Sequence, residues 1–198
     1  MHDADWKDGF LFLGNHRALD FLNTRPVDGG QFVELLPDFA ALVRWFRAAG
    51  WLSARDAGQL LRRWEGPAGQ KVVRVVTAFR ERWRDQILGW EHGTPVAQTA
   101  VEELNEWLAK RPMLQRVREK SLEWWFRLEE PEGLLAPLAQ SFADLITRVD
   151  PEKVRKCEHC VLHFYDVSKK GKRRWCSMRL CGNRAKVAAY AARRRGSR

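Results

Sequence analysis

Apolar positions recur every three to four residues through most of the first 150 residues, the mark of helices with one buried side. Phe39, Leu42, Val43 and Phe46 predict a helix over Pro37–Ala49, stopped by Gly50. Ser53-x-x-Asp56 has the form of a capping box and predicts a helix through Trp64. Gly66-Pro67 interrupts it. Val72, Val75, Val76, Phe79, Trp83 and Ile87 predict the next helix over Val72–Trp90. Thr94-Pro95, a cap followed by proline at the first helical position, predicts another that runs to about Ala109. Leu134, Leu135, Leu138, Phe142, Leu145 and Ile146 predict a last one over Pro131–Val149.

Two stretches depart from this period. Phe10–Thr24 is apolar but interrupted by Gly14-Asn15-His16-Arg17, and Phe12, Leu19 and Leu22 fit one side of a short helix. Arg25–Gly30 reads as a loop by its breakers. From Leu122 to Glu129 the apolar residues Leu122, Trp124, Phe126 and Leu128 alternate with other residues, which is strand periodicity. Leu114–Arg118 is its expected hairpin partner, turned by Glu119-Lys120-Ser121. The fold expected of residues 1–150 is mainly α with a small β-hairpin.

Charge and cysteine divide the chain. The net charge is +10, yet residues 151–198 hold fifteen Lys/Arg against three Asp/Glu, while residues 1–150 carry a net −2. All four cysteines lie in the basic part and nine of the ten tryptophans in the other. Two units, 1–150 and 151–198, divided near Asp150-Pro151, are the expected organisation. No apolar run nears the ~20 residues of a bilayer span, and the acidic start MHDADWKDGF has no signal-peptide pattern. A cytoplasmic protein without membrane contact is expected.

The first unit has no Gly-rich phosphate loop, no GxSxG and no HExxH, so no catalytic role is expected. Asp20, Asn23 and Thr24 are candidate ligand-binding residues. Their competing role is to satisfy backbone groups at helix ends. Trp45, Trp51, Trp64, Trp83, Trp90, Trp107, Trp124 and Trp125 are expected in the core, with a Trp-lined pocket as the alternative.

The second unit carries the chemistry. Cys157-x2-Cys160-x15-Cys176-x4-Cys181 is two close pairs at a spacing that suits one tetrahedral zinc ion. With all four positions filled by thiolates the ion would be structural. His159 and His163 are alternative ligands. Val154–Lys156 and Phe164–Val167 predict two short strands. A helix to about Arg195 follows Cys181, with Cys181, Ala185, Ala188 and Ala192 along one side. The result is a small treble-clef-like ββα zinc finger.

Its cations predict a polyanionic partner, with DNA foremost. Lys169, Lys170, Lys172, Arg173 and Arg174 in the loop, and Arg193 and Arg194 in the tail Arg193–Arg198, suit phosphate contacts. Arg179, Asn183, Arg184 and Lys186 lie on the first turns of the helix, where a groove-reading helix presents its side chains. A lone finger has a small footprint, so a homodimer is expected to raise affinity. RNA is a rival partner, with Phe164, Tyr165 and Tyr190 as stacking surfaces. A small-molecule-binding or enzymatic first unit, with the finger as a structural or protein-interaction clip, is another.

Cys157-x2-Cys160, Phe164-x-Asp166-x-Ser168, Arg174-Trp175-Cys176-Ser177-Met178 and Cys181-Gly182-Asn183-Arg184-x-Lys186 together resemble the CGNR zinc-finger family. Gly14 and Ala18-Leu19-Asp20-Phe21-Leu22-Asn23-Thr24 resemble the ABATE domain that commonly precedes it. The resemblance implies a bacterial stress-induced transcription regulator, zinc on the four cysteines and DNA bound by the finger; the first unit is expected to sense a small-molecule effector or to pair subunits. Lys169 departs from the pattern, since arginine often follows the serine there. It keeps the charge but loses the planar fork.

Overall fold

The computed structural model describes residues 6–196, without the side chains of 188, 189, 191, 192, 195 and 196. The chain opens with a hairpin of β1 (Trp6–Lys7) and β2 (Phe10–Leu11), turned by Asp8 and Gly9 at φ 52° and 85°. Two successive positive-φ residues make a tight turn whose twist matches antiparallel strands. α1 (Arg17–Leu22) follows, capped by His16, whose Nδ1 accepts from the Ala18 N–H at 3.3 Å. Within the expected loop Arg25–Gly30, Val27–Asp28 forms a strand, β3, which pairs with β4 (Gln31–Phe32) across the turn of Gly29 and Gly30 at φ 57° and 84°.

α2 (Phe39–Ala48) starts where Asp38 accepts a hydrogen bond from the Ala41 N–H at 2.7 Å. Asp38→Ala is expected to lower stability by about 1 kcal/mol in urea denaturation; an unchanged midpoint would remove the cap's role. α3 (Ala54–Trp64) is opened by Ser53 as the capping pattern predicts, with Ser53 Oγ accepting from the Asp56 N–H at 3.1 Å. α4 (Pro67–Glu91) begins at Pro67 rather than Val72. Proline suits that position because the first N–H of a helix needs no partner. α5 (Gln98–Lys110) begins later than Thr94-Pro95. Ala97, its flanking residue, donates its N–H to Gln86 of α4 at 2.9 Å.

β5 (Leu114–Arg118) and β6 (Ser121–Trp125) form the expected hairpin, with Val117 opposite Leu122 and Gln115 opposite Trp124. Its ladder ends at Trp125, short of Leu128. The apolar set shares a face, but most of that face is bare: Val117, Leu122 and Trp124 are exposed and only Phe126, past the ladder, is buried. A 3-10 turn at Pro131–Leu134 leads into α6 (Leu135–Arg148).

The core lies among α1, α2, α4 and α6. Trp83 and Phe142 approach to 4.8 Å between ring centroids, Phe79 and Phe142 to 5.5 Å, and Phe21 and Trp45 to 5.3 Å. Trp45 and Trp83 are fully buried, and Trp51, Trp64, Trp90 and Trp107 pack partly buried around them. Six of the tryptophans named above thus serve the core. Arg80 of α4 is 1% exposed within it, bonded to Thr24 Oγ1 at 2.8 Å and to both carboxylate oxygens of Glu34.

A 3-10 turn at Pro151–Lys153 introduces β7 (Val154–Lys156), which pairs antiparallel with β8 (His163–Tyr165). β8 starts one residue before the expected strand and ends before Val167. A single wide π-helical turn, Met178–Gly182, leads into α7 (Asn183–Gly196). Of the predicted apolar side of this helix, the side chains of Ala188 and Ala192 fall outside the description, as do residues 197–198 of the basic tail altogether.

The two parts of the chain interlock. Asn23 at the end of α1 donates its amide to the His163 carbonyl at 2.9 Å and accepts from the His163 N–H at 2.8 Å. The Tyr165 N–H donates to the Gly14 carbonyl at 2.8 Å, and Asn15 donates to the Tyr165 carbonyl at 2.9 Å. A Cβ on Gly14 would stand 2.8 Å from the Asp20 backbone nitrogen, so only glycine lets the loop close on α1.

Candidate metal centre and nucleic-acid interface

β7 delivers Cys157, the turn into β8 delivers Cys160, and the wide turn before α7 holds Cys176 near Cys181. The Cys157 N–H donates to the Leu162 carbonyl at 2.8 Å and closes the knuckle. The Cys160–Cys176 and Cys176–Cys181 sulfurs are 3.7 and 3.6 Å apart, and all four sulfurs lie within 4.8 Å of one another. None is in a disulfide. Zn–S bonds of about 2.3 Å in a tetrahedron put sulfurs about 3.8 Å apart. The donor set and its spacing therefore fit one zinc ion.

Only as a set of four thiolates do the cysteines call for a cation. Hydrogen bonding from the neighbouring sulfurs drives Cys157 strongly down and Cys176 strongly up from the ordinary thiol range. So close a set cannot hold four thiolates without a positive charge among them. The histidine alternatives are placed otherwise. His163 is buried, with Nδ1 2.7 Å from a Glu91 oxygen, and His159 is exposed. Among the described residues the potential metal-binding group contains the cysteines alone.

The motif residues around them have visible structural work. Asp166 is fully buried and accepts from the backbone N–H groups of Ser168 at 2.9 Å and Arg173 at 2.8 Å. Burial opposes its charge, but these bonds outweigh it and hold its carboxyl below the usual range. They also clamp the basic loop. A Cβ on Gly182 would meet the Met178 sulfur at 2.7 Å and the Trp175 ring at 3.3 Å, so glycine leaves room for the Met178 side chain. Arg184 lines an apolar cavity of about 230 Å³ beside Cys160, Cys176 and Cys181.

The candidate nucleic-acid contacts separate into two groups. Arg173 bonds the carbonyls of Trp175 and Cys176 and lies 4.6 Å over the Phe164 ring. Arg174 is paired with Glu158 and lies over Trp175. These two brace the finger. Lys169, Lys170, Lys172, Arg179, Asn183, Arg184, Lys186, Arg193 and Arg194 are exposed. Phe164, a candidate for stacking on bases, is fully buried and unavailable to a base, whereas Tyr190 is exposed.

Asp20, Asn23 and Thr24 are each 1% exposed. Asp20 accepts from the Gly14 N–H at 2.8 Å and pairs with Arg17 at 2.9 Å. Asn23 makes its two bonds to His163, and Thr24 donates to the Phe21 carbonyl at 2.7 Å while accepting from Arg80. Their polar atoms are engaged in holding the loop, α1 and the knuckle together. The spacing of Asn23 gave no sign of a partner 140 residues away.

No helix among the described residues is long and apolar enough to cross a membrane. A comparison with curated proteins finds no match. Residues 15–149 match the ABATE family, described as "Putative stress-induced transcription regulator", and residues 153–194 match the CGNR zinc finger. The first match spans well over half the chain and the second encloses all four clustered cysteines, so the protein belongs to the ABATE family and carries a CGNR zinc finger at residues 153–194.

Proposed function

We propose that this protein is a DNA-binding transcription regulator, a binding protein rather than an enzyme, whose finger holds one structural zinc ion. The carrying observation is the net positive charge of the finger, fifteen Lys/Arg against three Asp/Glu, with Lys169, Lys170, Lys172 and Lys186 exposed. Of the three acids in residues 151–198, Asp166 is buried and Glu158 is paired with Arg174, which leaves Glu152 against the exposed lysines and arginines. The metal, when bound, cross-links the knuckle to the start of α7. The cysteines hold that link, Asp166 shapes the loop, and Lys169, Lys170, Lys172 and Lys186 meet phosphates. Asn183 and Arg184 stand at the start of α7, where side chains reach base edges. Two copies on one duplex would supply the affinity that one small finger lacks.

Binding of the zinc-loaded full chain to duplex DNA across a salt series tests this. Affinity is expected to fall steeply, with a log–log slope that each of Lys169→Ala, Lys170→Ala and Lys172→Ala reduces by about 1. Absence of binding at low salt, or a slope untouched by the lysine changes, would overturn the reading. Preference for single-stranded RNA in competition would move it to RNA.

A further inference from the structure

We infer that the cleft between α1, α6 and the β5–β6 hairpin is a binding site for a planar aromatic carboxylate. The cleft has a volume of about 520 Å³, within the range of small-molecule sites, roughly 300–1,000 Å³. It is separate from the finger, and the inference does not depend on DNA binding.

Its walls are aromatic. Trp51 comes from the turn after α2, Trp124 from β6 and Phe126 from just beyond β6. Trp124 is 61% exposed, although every other tryptophan of the helical body is at least partly buried. A large ring left bare beside a cleft has area to offer a flat partner.

The polar groups choose the charge of that partner. Asp144 is the acid of the cleft and is already used: one oxygen lies 3.3 Å from His16 Nε2 and the other 3.0 Å from Arg148. Its charge is already met by Arg148, so the cleft offers an incoming cation little. Arg17 and Arg148 also line the cleft, and each commits one terminal nitrogen to an acid, Arg17 to Asp20 at 2.9 Å and Arg148 to Asp144. Each guanidinium has five N–H donors, so donors remain on both. Ser141 of α6 is 8% exposed and faces the cleft. Thr147, on the same helix, turns its hydroxyl back to the Ala143 carbonyl at 2.7 Å, whereas the Ser141 hydroxyl makes no bond within the described residues. A hydroxyl open to the cleft, two guanidinium forks and aromatic walls together specify a carboxylate attached to a ring.

Titration of the full chain with 2-naphthoate, followed by tryptophan fluorescence and calorimetry, tests the site. Saturable binding of one molecule per chain is expected, with naphthalene-2-methanol and 2-naphthylmethylammonium each at least tenfold weaker. Trp124→Ala and Arg148→Ala should each weaken naphthoate binding about tenfold, the size of one stacking contact or one charge-assisted bond. Both side chains are largely exposed, so the fold should be kept, and unchanged circular dichroism checks it. Val117→Ala, exposed on the same hairpin but outside the cleft, should bind as the parent does. Naphthoate that fails to saturate, binding indifferent to Trp124 and Arg148, or tighter binding of the ammonium or the alcohol would overturn the inference.

Discussion

Cys176→Ser is expected to remove the bound metal from the full chain and, with it, the order of residues 154–182. A structural zinc site of this donor type contributes roughly 10–16 kcal/mol of binding free energy that is also folding free energy. Serine supplies no soft thiolate, and Cys176 is a fully buried member of the cluster. Metal content measured on the purified protein should fall from about one ion per chain to near zero. Amide exchange should quicken across β7, β8 and the wide turn, and DNA binding should disappear. It should also quicken at Leu11, which packs in the same small core as Cys157, Cys176 and Cys181. The helical body should persist, since its core draws little from the finger. Full metal retention by Cys176→Ser would show that the four sulfurs do not act as one site.

Arg80→Met is expected to destabilise the helical body by about 3 kcal/mol, toward the low end for breaking a buried ion pair because Glu34 and Glu81 keep some water. The guanidinium is 1% exposed and binds Glu34, Glu81 and Thr24 at once. Methionine fills much of the volume but leaves Glu34 without a cation, while Glu81 keeps Arg25 and Arg84. The acid dependence should change as well. Burial pushes Glu34 and Glu81 upward, but the bonds and charge of Arg80, joined at Glu81 by those of Arg84, outweigh it and hold both below the ordinary value of 4.5. A depressed folded-state pKa stabilises the protein above that ordinary value, and the contribution fades as pH falls through the lower folded-state values. The parent should therefore lose stability on going from pH 7 to below 4.5. In Arg80→Met the loss should shrink, since burial then acts on Glu34 with no cation against it. Urea midpoints at the two pH values measure both effects. An Arg80→Met protein as stable as the parent at pH 7, or as acid-sensitive, would contradict this account.

The long helices and the cysteine set were legible because their signals are local and repeat. α2, α3 and α4 carry apolar residues at helical spacing, and the capping role of Ser53 shows in its own neighbourhood. The hairpin at residues 114–125 was visible in its alternation. That period says which side chains share a face but not which face meets the core, so Leu122 and Trp124 could not be placed. β1 to β4 escaped because two-residue strands are too short to alternate. Arg173 and Arg174 looked like the lysines beside them, yet their carbonyl and Glu158 partners appear only once the loop is folded. Asn23 hid most completely, since its two bonds are made to a backbone it meets only in the folded chain.

The small core around the cysteines is not made by the finger alone. Leu11 is buried in it, and Trp6 and Leu13 pack against it, while Gly14, Asn15 and Asn23 bind the backbone of β8. The finger therefore behaves as a graft that needs its host. Transplanted as residues 151–198 it would expose Phe164 and lose the bonds that seat His163. A chain cut at residue 150 would in turn expose Leu11 and orphan the Asn23 amide. Domain-swap chimeras with other helical bodies should succeed only when the first twenty-four residues travel with the finger.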